Sequence, residues 1–401
     1  MATLLQQLAD GERDQLHITA IKVIQLKEHG IQSLVKVETD GGVYGLGEIG
    51  APAAVARAYI ETMKADLIGQ DALAVEKCYA DMTRMRAQWH AHWVQNPTIS
   101  GIDIALWDIA GKVFNRPISK LLTGRFRDEI ELYVNTLGPT DWFDKGACQA
   151  WAEEMKADPN GFQTIKFGFE AMVGRQLPQH SGRRPGYLCD MLKQTELRRI
   201  CQGYENCREA LGWDMDIIVH CHNEWDLPTA LGIAEAVAPI QPLWIEDALP
   251  VVYSASWPAF RAASPVRVMT GEKLELVAEF LQFLTNGGVH VIHPDIAFVG
   301  GITGMRKIAD LAELYAVPVV THNVGSLVQL LATAHFGASC RNFVMTECRI
   351  PQGGIFAEMN ADGMQVANGK LKVPDKPGLG ITLVDEVLRA NLWEGEVYWD
   401  K

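Results

Sequence analysis

The sequence has little positive charge and few cysteines, and both shortages exclude classes of protein. Among the 401 residues, 36 Lys and Arg stand against 49 Asp and Glu, which gives a net charge of −13 at pH 7. No run of Lys or Arg is longer than the Arg183-Arg184 pair. We therefore expect neither nucleic acid nor an anionic membrane as a partner. A small anionic substrate stays open, because a bound metal or a few local cations can override the net charge.

Regular cysteine spacing and long apolar runs are also missing. The eight cysteines include no CxxC pair, which is typical of reduced thiols in a cytoplasmic protein. Residues 1–13 are polar and lack the pattern of a signal peptide. No apolar run reaches the roughly 18–20 residues of a membrane span. We therefore predict a cytoplasmic location.

The remaining composition fits a large globular protein. Hydrophobic residues make up 48% of the chain and charged residues 21%, values that exclude disorder and low-complexity structure. A chain of this length is expected to form two domains, or one large barrel with an attachment.

Residues 1–128 begin with strands and continue with helices. The predicted strands span residues 21–26, 33–39 and 43–47, and the predicted helices span residues 53–68, 72–85 and 99–113. The turn at residues 40–42, Asp-Gly-Gly, indicates a hairpin between the second and third strands. Strands followed by helices predict an α+β module.

Residues 129–374 alternate short apolar strands with amphipathic helices. The predicted strands span residues 132–136, 164–167, 217–221, 243–246, 268–271, 289–292, 317–321 and 343–346. Eight strands in this alternation predict a parallel (β/α)8 TIM-type barrel. Residues 375–401 break the period and begin with several Pro and Gly residues, so we predict a tail that returns to the first module.

Ionisable side chains occur where these strands end. They are Lys166, His220, His222, Glu246, Glu272, Asp295, His322 and Glu347. From one strand to the next, these residues are spaced by about one βα unit. Because the carboxyl ends of barrel strands meet at one mouth, the spacing predicts that these side chains converge there.

Each of these residues also has a purely structural interpretation. Glu246 could be a helix N-cap, Asp295 could cap the following helix, and His322 could be a buried histidine with satisfied hydrogen bonds. The regular spacing of the whole set favours function over these alternatives.

The residue types suggest proton chemistry beside a metal. Glu246 and Glu272 offer the oxygen ligands that Mg²⁺ prefers, and a bound Mg²⁺ would stabilise the enediolate formed when a proton next to a carboxylate is removed. Asp295 can set the tautomer and pKa of His322 as a base. Lys166 is predicted to be a second base or an electrostatic partner, with its pKa lowered by the metal and by burial.

Glu347 is the last member of the series. In an apolar barrel mouth its carboxyl group could stay protonated and donate a hydrogen bond to the carboxylate of a substrate.

Several segments resemble the enolase superfamily and, within it, the mandelate racemase subgroup. The matching segments are residues 40–48, 100–112, 118–124, 244–250, 270–272, 293–303, 321–323 and 376–380. They cover nearly the whole chain and are specific for the superfamily and the subgroup, but they are weak for the substrate.

The resemblance implies a capping domain, built from both termini, over a modified barrel with one Mg²⁺ per subunit. It also implies dehydration of a sugar acid, an aldonate or aldarate, to a 2-keto-3-deoxy acid, with the His322–Asp295 dyad moving a proton and Glu347 assisting. Even-numbered homo-oligomers and a small carboxylate substrate are expected. A racemase or epimerase of an α-hydroxy acid is the alternative enzyme.

Two histidines bear on this resemblance. His220 stands where the family has its first metal ligand, normally Asp or Glu, and imidazole suits softer cations than Mg²⁺. Either the cation is a different divalent ion, or Asn223 or Glu224 completes the ligands, or metal binding is weakened. The last case would allow a non-catalytic scaffold. His222 matches a histidine that acts as general acid in some sugar-acid dehydratases.

The substrate itself is not specified by these motifs. It is expected to depend on capping loops at residues 30–32 and 47–53 and on a long insertion at residues 171–187. Within the insertion, the candidate substrate-binding residues are Arg175, His180, Arg183 and Tyr187, which could instead lie in solvent.

Overall fold

The computed structural model describes residues 4–9, 15–27, 32–87, 95–174, 191–349 and 355–399. Its elements form a small antiparallel sheet with helices and a closed parallel barrel.

The N-terminal part contains the small sheet. The strands are β1 (Ile18–Ile24), β2 (Ser33–Thr39) and β3 (Tyr44–Ile49), and the helices are α1 (Leu4–Ala9), α2 (Ala53–Leu67), α3 (Val75–Ala87), α4 (Asn96–Val113) and α5 (Ile118–Leu121). Both strand pairs are antiparallel. Helix α4 packs directly on β3, where a Cβ at Gly47 would overlap the carbonyl oxygen of Gly101. Glycine at this position therefore permits the close approach of the helix to the sheet.

Eight parallel strands close into the barrel. They are β4 (Glu129–Asn135), β5 (Thr164–Phe167), β6 (Asp216–His220), β7 (Ile245–Glu246), β8 (Val268–Thr270), β9 (Val291–Ile292), β10 (Val319–Thr321) and β11 (Phe343–Cys348). Each strand pairs with the next along the chain, and β11 pairs with β4 to complete the circle. The predicted barrel under a capping domain is thus confirmed.

Helices connect these strands. They are α6 (Lys145–Lys156), α7 (Glu170–Val173), α8 (Gln194–Leu211), α9 (Leu227–Val237), α10 (Ser256–Ala263), α11 (Val277–Thr285), α12 (Gly301–Leu314) and α13 (Leu327–Ser339). Capping-domain carboxylates reach two of them: Asp103 Oδ2 accepts a hydrogen bond from Thr303 N (2.9 Å), and Glu48 Oε1 accepts one from Ser326 N (2.8 Å). The capping domain therefore binds helix N-termini of the barrel, where backbone N–H groups lack partners within the helix.

The C-terminal region returns to the capping sheet. It contains α14 (Ile355–Glu358), the hairpin β12 (Val366–Ala367) and β13 (Lys370–Lys372), and α15 (Asp385–Ala390). Strand β13 pairs antiparallel with β4, a pairing the sequence analysis did not predict. After α15, Trp393 N donates to Gln25 O and Lys27 N donates to Asn391 O, both at 2.9 Å. The domain limits at residues 128 and 374 stay a prediction.

One layer of large side chains fills the barrel below its mouth. It consists of Tyr133, Ile218, Trp244, Met269, Val291, Val320 and Met345, all buried. Because side chains alternate between the two faces of a strand, the residue two positions further along points to the same interior. This register determines which side chains reach the mouth.

Two expectations concern the whole chain. None of the helices in the described ranges is both long and apolar enough to cross a membrane. The seven cysteines in these ranges are free thiols, as expected from their irregular spacing.

Candidate active site

Side chains two residues beyond the interior layer converge at the barrel mouth. They are His220 after Ile218, Glu246 after Trp244, His293 after Val291, His322 after Val320 and Glu347 after Met345. Lys166 on β5, together with Glu272 and Asp295 in the loops after β8 and β9, joins them. The structure therefore brings together all the site residues predicted from strand ends.

Lys166 forms the centre of this group. Its Nζ lies 2.9 Å from Glu246 Oε1 and 2.9 Å from Glu347 Oε2, and all three side chains are at most 1% exposed. Burial alone lowers the pKa of Lys166, but Glu246, Glu347 and Glu272 outweigh it and raise the pKa above its ordinary value. Burial acts in the predicted direction, lowering of the pKa by a metal stays a prediction, and the two ion pairs to one ammonium group were not anticipated from the sequence.

A chain of hydrogen bonds links the two histidines after β6. His220 Nδ1 lies 2.9 Å from Glu246 Oε1, and His220 Nε2 lies 2.7 Å from His222 Nε2. Since a carboxylate only accepts, His220 Nδ1–H donates to Glu246, and His220 Nε2 accepts from His222. Burial lowers the pKa of His220 well below its usual range, so the ring is neutral.

His222 differs from its neighbour. Burial lowers its pKa, but a hydrogen bond with Glu170 and the charge of Glu224 outweigh that effect and raise it. His222 Nδ1 lies 3.4 Å from Glu170 Oε1. The raised pKa favours the imidazolium form, which can donate a proton and so suits the predicted general acid.

His322 and Asp295 form the predicted dyad contact. His322 Nδ1 donates to Asp295 Oδ2 over 2.6 Å, which leaves Nε2 directed at Glu272 Oε2 (3.5 Å) and Glu347 Oε2 (3.7 Å). Burial opposes the charged ring, but Glu272, Asp295 and Glu347 together raise the pKa of His322 to about 9. Glu272 supplies the largest of these attractions, so any positive charge that Glu272 binds lowers this pKa.

The buried polar atoms of the site fit a divalent cation. Among the described residues, Glu246 Oε2, Glu272 Oε2 and His293 Nδ1 are buried without a hydrogen-bond partner. Glu246, Glu272 and His293 can each place a ligand atom within 4.8 Å of the other two. Two carboxylates and one imidazole suit a divalent metal ion.

The role of His220 as a metal ligand stays a prediction. Both of its ring nitrogens already have hydrogen-bond partners, so metal binding requires one of these contacts to break.

Sequence reasoning missed several residues of the site. His293 lies fully buried between Tyr133, whose Oη is 2.8 Å from His293 Nε2, and the ring of His322. Its position, in the register of His322 and Glu347, could have revealed it. Glu170 follows β5 by three residues and forms a second possible cation cluster with His222 and Glu224. The candidates Arg175, His180, Arg183 and Tyr187 lie outside the described residues.

Comparison with known proteins identifies the family. The family model described as "Mandelate racemase / muconate lactonizing enzyme, N-terminal domain" matches residues 18–123, and "Enolase C-terminal domain-like" matches residues 147–387. The chain is 30% identical over 397 residues to a D-xylonate dehydratase of Haloferax volcanii, covering 98% of this chain and 92% of that protein. It is 29% identical over 370 residues to a D-galactarolactone cycloisomerase of Agrobacterium fabrum, covering 88% and 89%.

A solved structure agrees with these relatives. A mandelate racemase/muconate lactonizing enzyme-like protein from Rubrobacter xylanophilus superposes with a TM-score of 0.84 at 26% identity, covering 95% of this chain and 99% of that chain. The predictions of the family and of an enzyme of the lyase class are therefore confirmed. The chain belongs to the mandelate racemase subgroup of the enolase superfamily.

Proposed function

We propose that this enzyme dehydrates a sugar acid, an aldonate or aldarate, to a 2-keto-3-deoxy acid with the help of Mg²⁺ or a related divalent ion. The observation that carries the proposal is the placement of two different proton-transfer groups in one chain of polar contacts: the buried His322 beside Asp295, and His222, whose side chain is 41% exposed, beside Glu170. Dehydration removes one proton from the α carbon and delivers one to the departing hydroxyl, and two such groups can divide these two transfers. The name of the Haloferax volcanii relative supports the same reaction.

His322 is proposed to abstract the proton α to the substrate carboxylate. Its Nδ1 is occupied by Asp295, so Nε2 is the nitrogen that takes the proton. Asp295 keeps the ring in that tautomer and stabilises the positive charge that develops on it.

His222 is proposed to protonate the hydroxyl on the β carbon, which leaves as water. The resulting enol then becomes the 2-keto product by taking a proton at the β carbon and losing the proton of its hydroxyl group. Lys166 is the alternative proton donor, and its ammonium group also balances the charges of Glu246 and Glu347.

Glu246 and Glu272 are proposed to hold the cation, with His293 or His220 as the nitrogen ligand. When bound, a divalent cation supplies positive charge beside the substrate carboxylate and lowers the cost of forming the enediolate. The imidazole ligand favours Mn²⁺ or Zn²⁺ over Mg²⁺ more than an all-oxygen set would.

The test is a screen of aldonic and aldaric acids in deuterated buffer with excess Mg²⁺. We expect a keto product, measured by carbonyl derivatisation, from one stereochemical series. His322→Asn should abolish product and leave the circular dichroism spectrum intact, whereas the control His17→Asn, at an exposed histidine, should retain activity. Turnover by His322→Asn would contradict the proposal.

Racemisation of an α-hydroxy acid is the second candidate. It is favoured by the positions of Lys166 Nζ and His322 Nε2, which lie 2.9 and 3.7 Å from the same oxygen of Glu347. In the same screen, deuterium at the α carbon without keto product would select it. No exchange with Mg²⁺, Mn²⁺, Ni²⁺ or Zn²⁺, together with no cation binding by calorimetry, would indicate a non-catalytic scaffold.

Assembly and location are also proposals. We propose an even-numbered homo-oligomer, which analytical ultracentrifugation tests, and a cytoplasmic location, which cell fractionation tests.

A further inference from the structure

The Asp295 carboxylate is held by more than its histidine. Oδ2 accepts from His322 Nδ1, while Oδ1 accepts from Ala297 N (2.7 Å) and from Gln329 Nε2 (2.8 Å). Asp295 and Gln329 are both 0% exposed. Water therefore cannot replace a donor that is lost. Among the described residues, three groups donate hydrogen bonds to the Asp295 carboxylate, and Gln329 is one of them.

The orientation of the Gln329 amide follows from its partner. A carboxylate only accepts, so Gln329 must turn its NH2 group to Asp295 and its carbonyl oxygen away. That oxygen, Gln329 Oε1, then needs a donor, and Gln32 Nε2 supplies one at 3.2 Å. Gln32 is 2% exposed, so this contact is also protected from water.

Gln32 and Gln329 come from different parts of the molecule. Gln32 directly precedes β2 of the capping sheet, and Gln329 lies in the first turn of barrel helix α13. The backbone of the same residue is tied to the capping domain as well, since Gln329 N donates to Glu48 Oε2 over 3.0 Å. The position of the Gln329 side chain is thus set jointly by the capping domain and by the dyad.

We propose that Gln329 is a positioning residue for the His322–Asp295 dyad, and that Gln32 transmits the position of the capping domain to it. The proposal rests on the proposed function, because it assigns His322 a proton transfer. A misdirected Asp295 changes the angle of the His322 ring, and small errors in the position of a base slow proton transfer strongly.

The test compares two nearly isosteric variants with a matched control. Gln329→Met and Gln32→Met remove the hydrogen bonds that run from Gln32 through Gln329 to Asp295. The control, Ser100→Ala, removes another buried contact between the capping domain and the barrel, the hydrogen bond from Gly300 N to Ser100 Oγ (2.8 Å). We expect Gln329→Met to lower kcat by about 10- to 100-fold with KM changed by less than about 2-fold, as for residues that orient catalytic groups. Ser100→Ala should leave kcat unchanged.

A second readout does not depend on the reaction. The proton shared by His322 Nδ1 and Asp295 should give a downfield NMR resonance, which we expect to shift or broaden in Gln329→Met and to stay unchanged in Ser100→Ala. If the chain proves not to be a dehydratase, this resonance still tests whether Gln329 positions the Asp295 carboxylate. An unchanged resonance and unchanged kcat in Gln329→Met would overturn the proposal.

A double-mutant cycle tests the transmission step. If Gln32 acts only through Gln329, Gln32→Met lowers kcat in the wild-type background and has no further effect in the Gln329→Met background. Independent, multiplicative effects of the two substitutions would overturn the role assigned to Gln32. A thermal melt of each variant confirms that both chains are folded at the assay temperature.

Discussion

At the scale of single residues, Lys166 contacts two buried carboxylates of the site. It neutralises Glu246 and Glu347, which are both buried at the centre of the barrel. Removing one partner of a buried ion pair costs more free energy than the pair itself contributes, because the remaining charge stays buried without water or an opposite charge. Lys273 offers a comparison: it contacts Asp247 at 3.0 Å and Glu272 at 2.8 Å, but its side chain is 39% exposed.

We predict that Lys166→Met destabilises the protein by about 3–5 kcal/mol, the range measured when one member of a buried pair is removed. Lys273→Met should cost less, because the Lys273 side chain is 39% exposed and Asp247 keeps a hydrogen bond from Thr270 Oγ1 at 2.6 Å. Urea unfolding measures both values, with EDTA present so that no divalent cation replaces the lost ammonium. Equal losses in the two variants would show that burial does not decide the cost.

At the scale of elements, α13 illustrates how a buried helix carries polar groups. All but one of its thirteen residues are buried, so its polar side chains need partners from neighbouring elements. His335 finds them in α5 and the C-terminal region: Nδ1 accepts from Ser119 N at 3.3 Å, and Nε2–H donates to Leu379 O at 3.1 Å. The ring is therefore neutral, and burial lowers the pKa of His335 from 6.5 to about 4.

The pKa of His335 predicts a loss of stability in mild acid. Between pH 6.5 and about 4 the unfolded chain binds a proton at this residue and the folded chain does not, so the free energy of unfolding falls as the pH falls. The full effect is about 3 kcal/mol for a shift of this size. It is absent above pH 6.5 and complete below pH 4.

Unfolding free energies measured across this pH range check the prediction. His335→Gln should show a flatter pH dependence than the wild type, whatever its absolute stability. Ser100→Ala, which removes a buried hydrogen bond but changes no titratable group, serves as the control and should keep the wild-type slope. A wild-type slope in His335→Gln would contradict the assignment.

At the scale of the whole molecule, Asp108 connects three parts of the chain. From α4, its Oδ2 accepts from Leu46 N of β3 (2.9 Å) and its Oδ1 accepts from Leu379 N of the C-terminal region (2.8 Å). Lys112 pairs with the same carboxylate at 2.6 Å. Asp108 is 0% exposed, so α4, β3 and the C-terminal region meet at one buried carboxylate.

We predict that Asp108→Ala lowers the free energy of unfolding by about 3 kcal/mol, because two buried N–H groups lose their only side-chain acceptor in the described structure. The loss should appear as one cooperative transition at lower denaturant concentration. Asp128→Ala is the control, since its side chain is 85% exposed and its removal should change stability little. Separate transitions for the capping domain and barrel would contradict the coupling.

Much of this protein is determined by the sequence alone. The eight barrel strands follow from local apolar runs, and the residues at their ends follow from the rule that parallel strands share one mouth. Lys166, His220, Glu246, Glu272, His322 and Glu347 could be named because each lies at a predictable point of a βα unit. The family could be named because its motifs are contiguous in sequence.

The tertiary structure decided the contacts that join distant segments. His293 shares the register of His322 and Glu347, but its contacts with Tyr133 and His322 form only when the barrel closes. The two ion pairs of Lys166 were not predicted, because their carboxylates come from different strands that meet only in the closed barrel. Gln32 and Gln329 are 297 positions apart in sequence, and no local pattern records such a pairing. Local propensity and periodicity determine the elements, but partners, burial and charge depend on how the chain closes on itself.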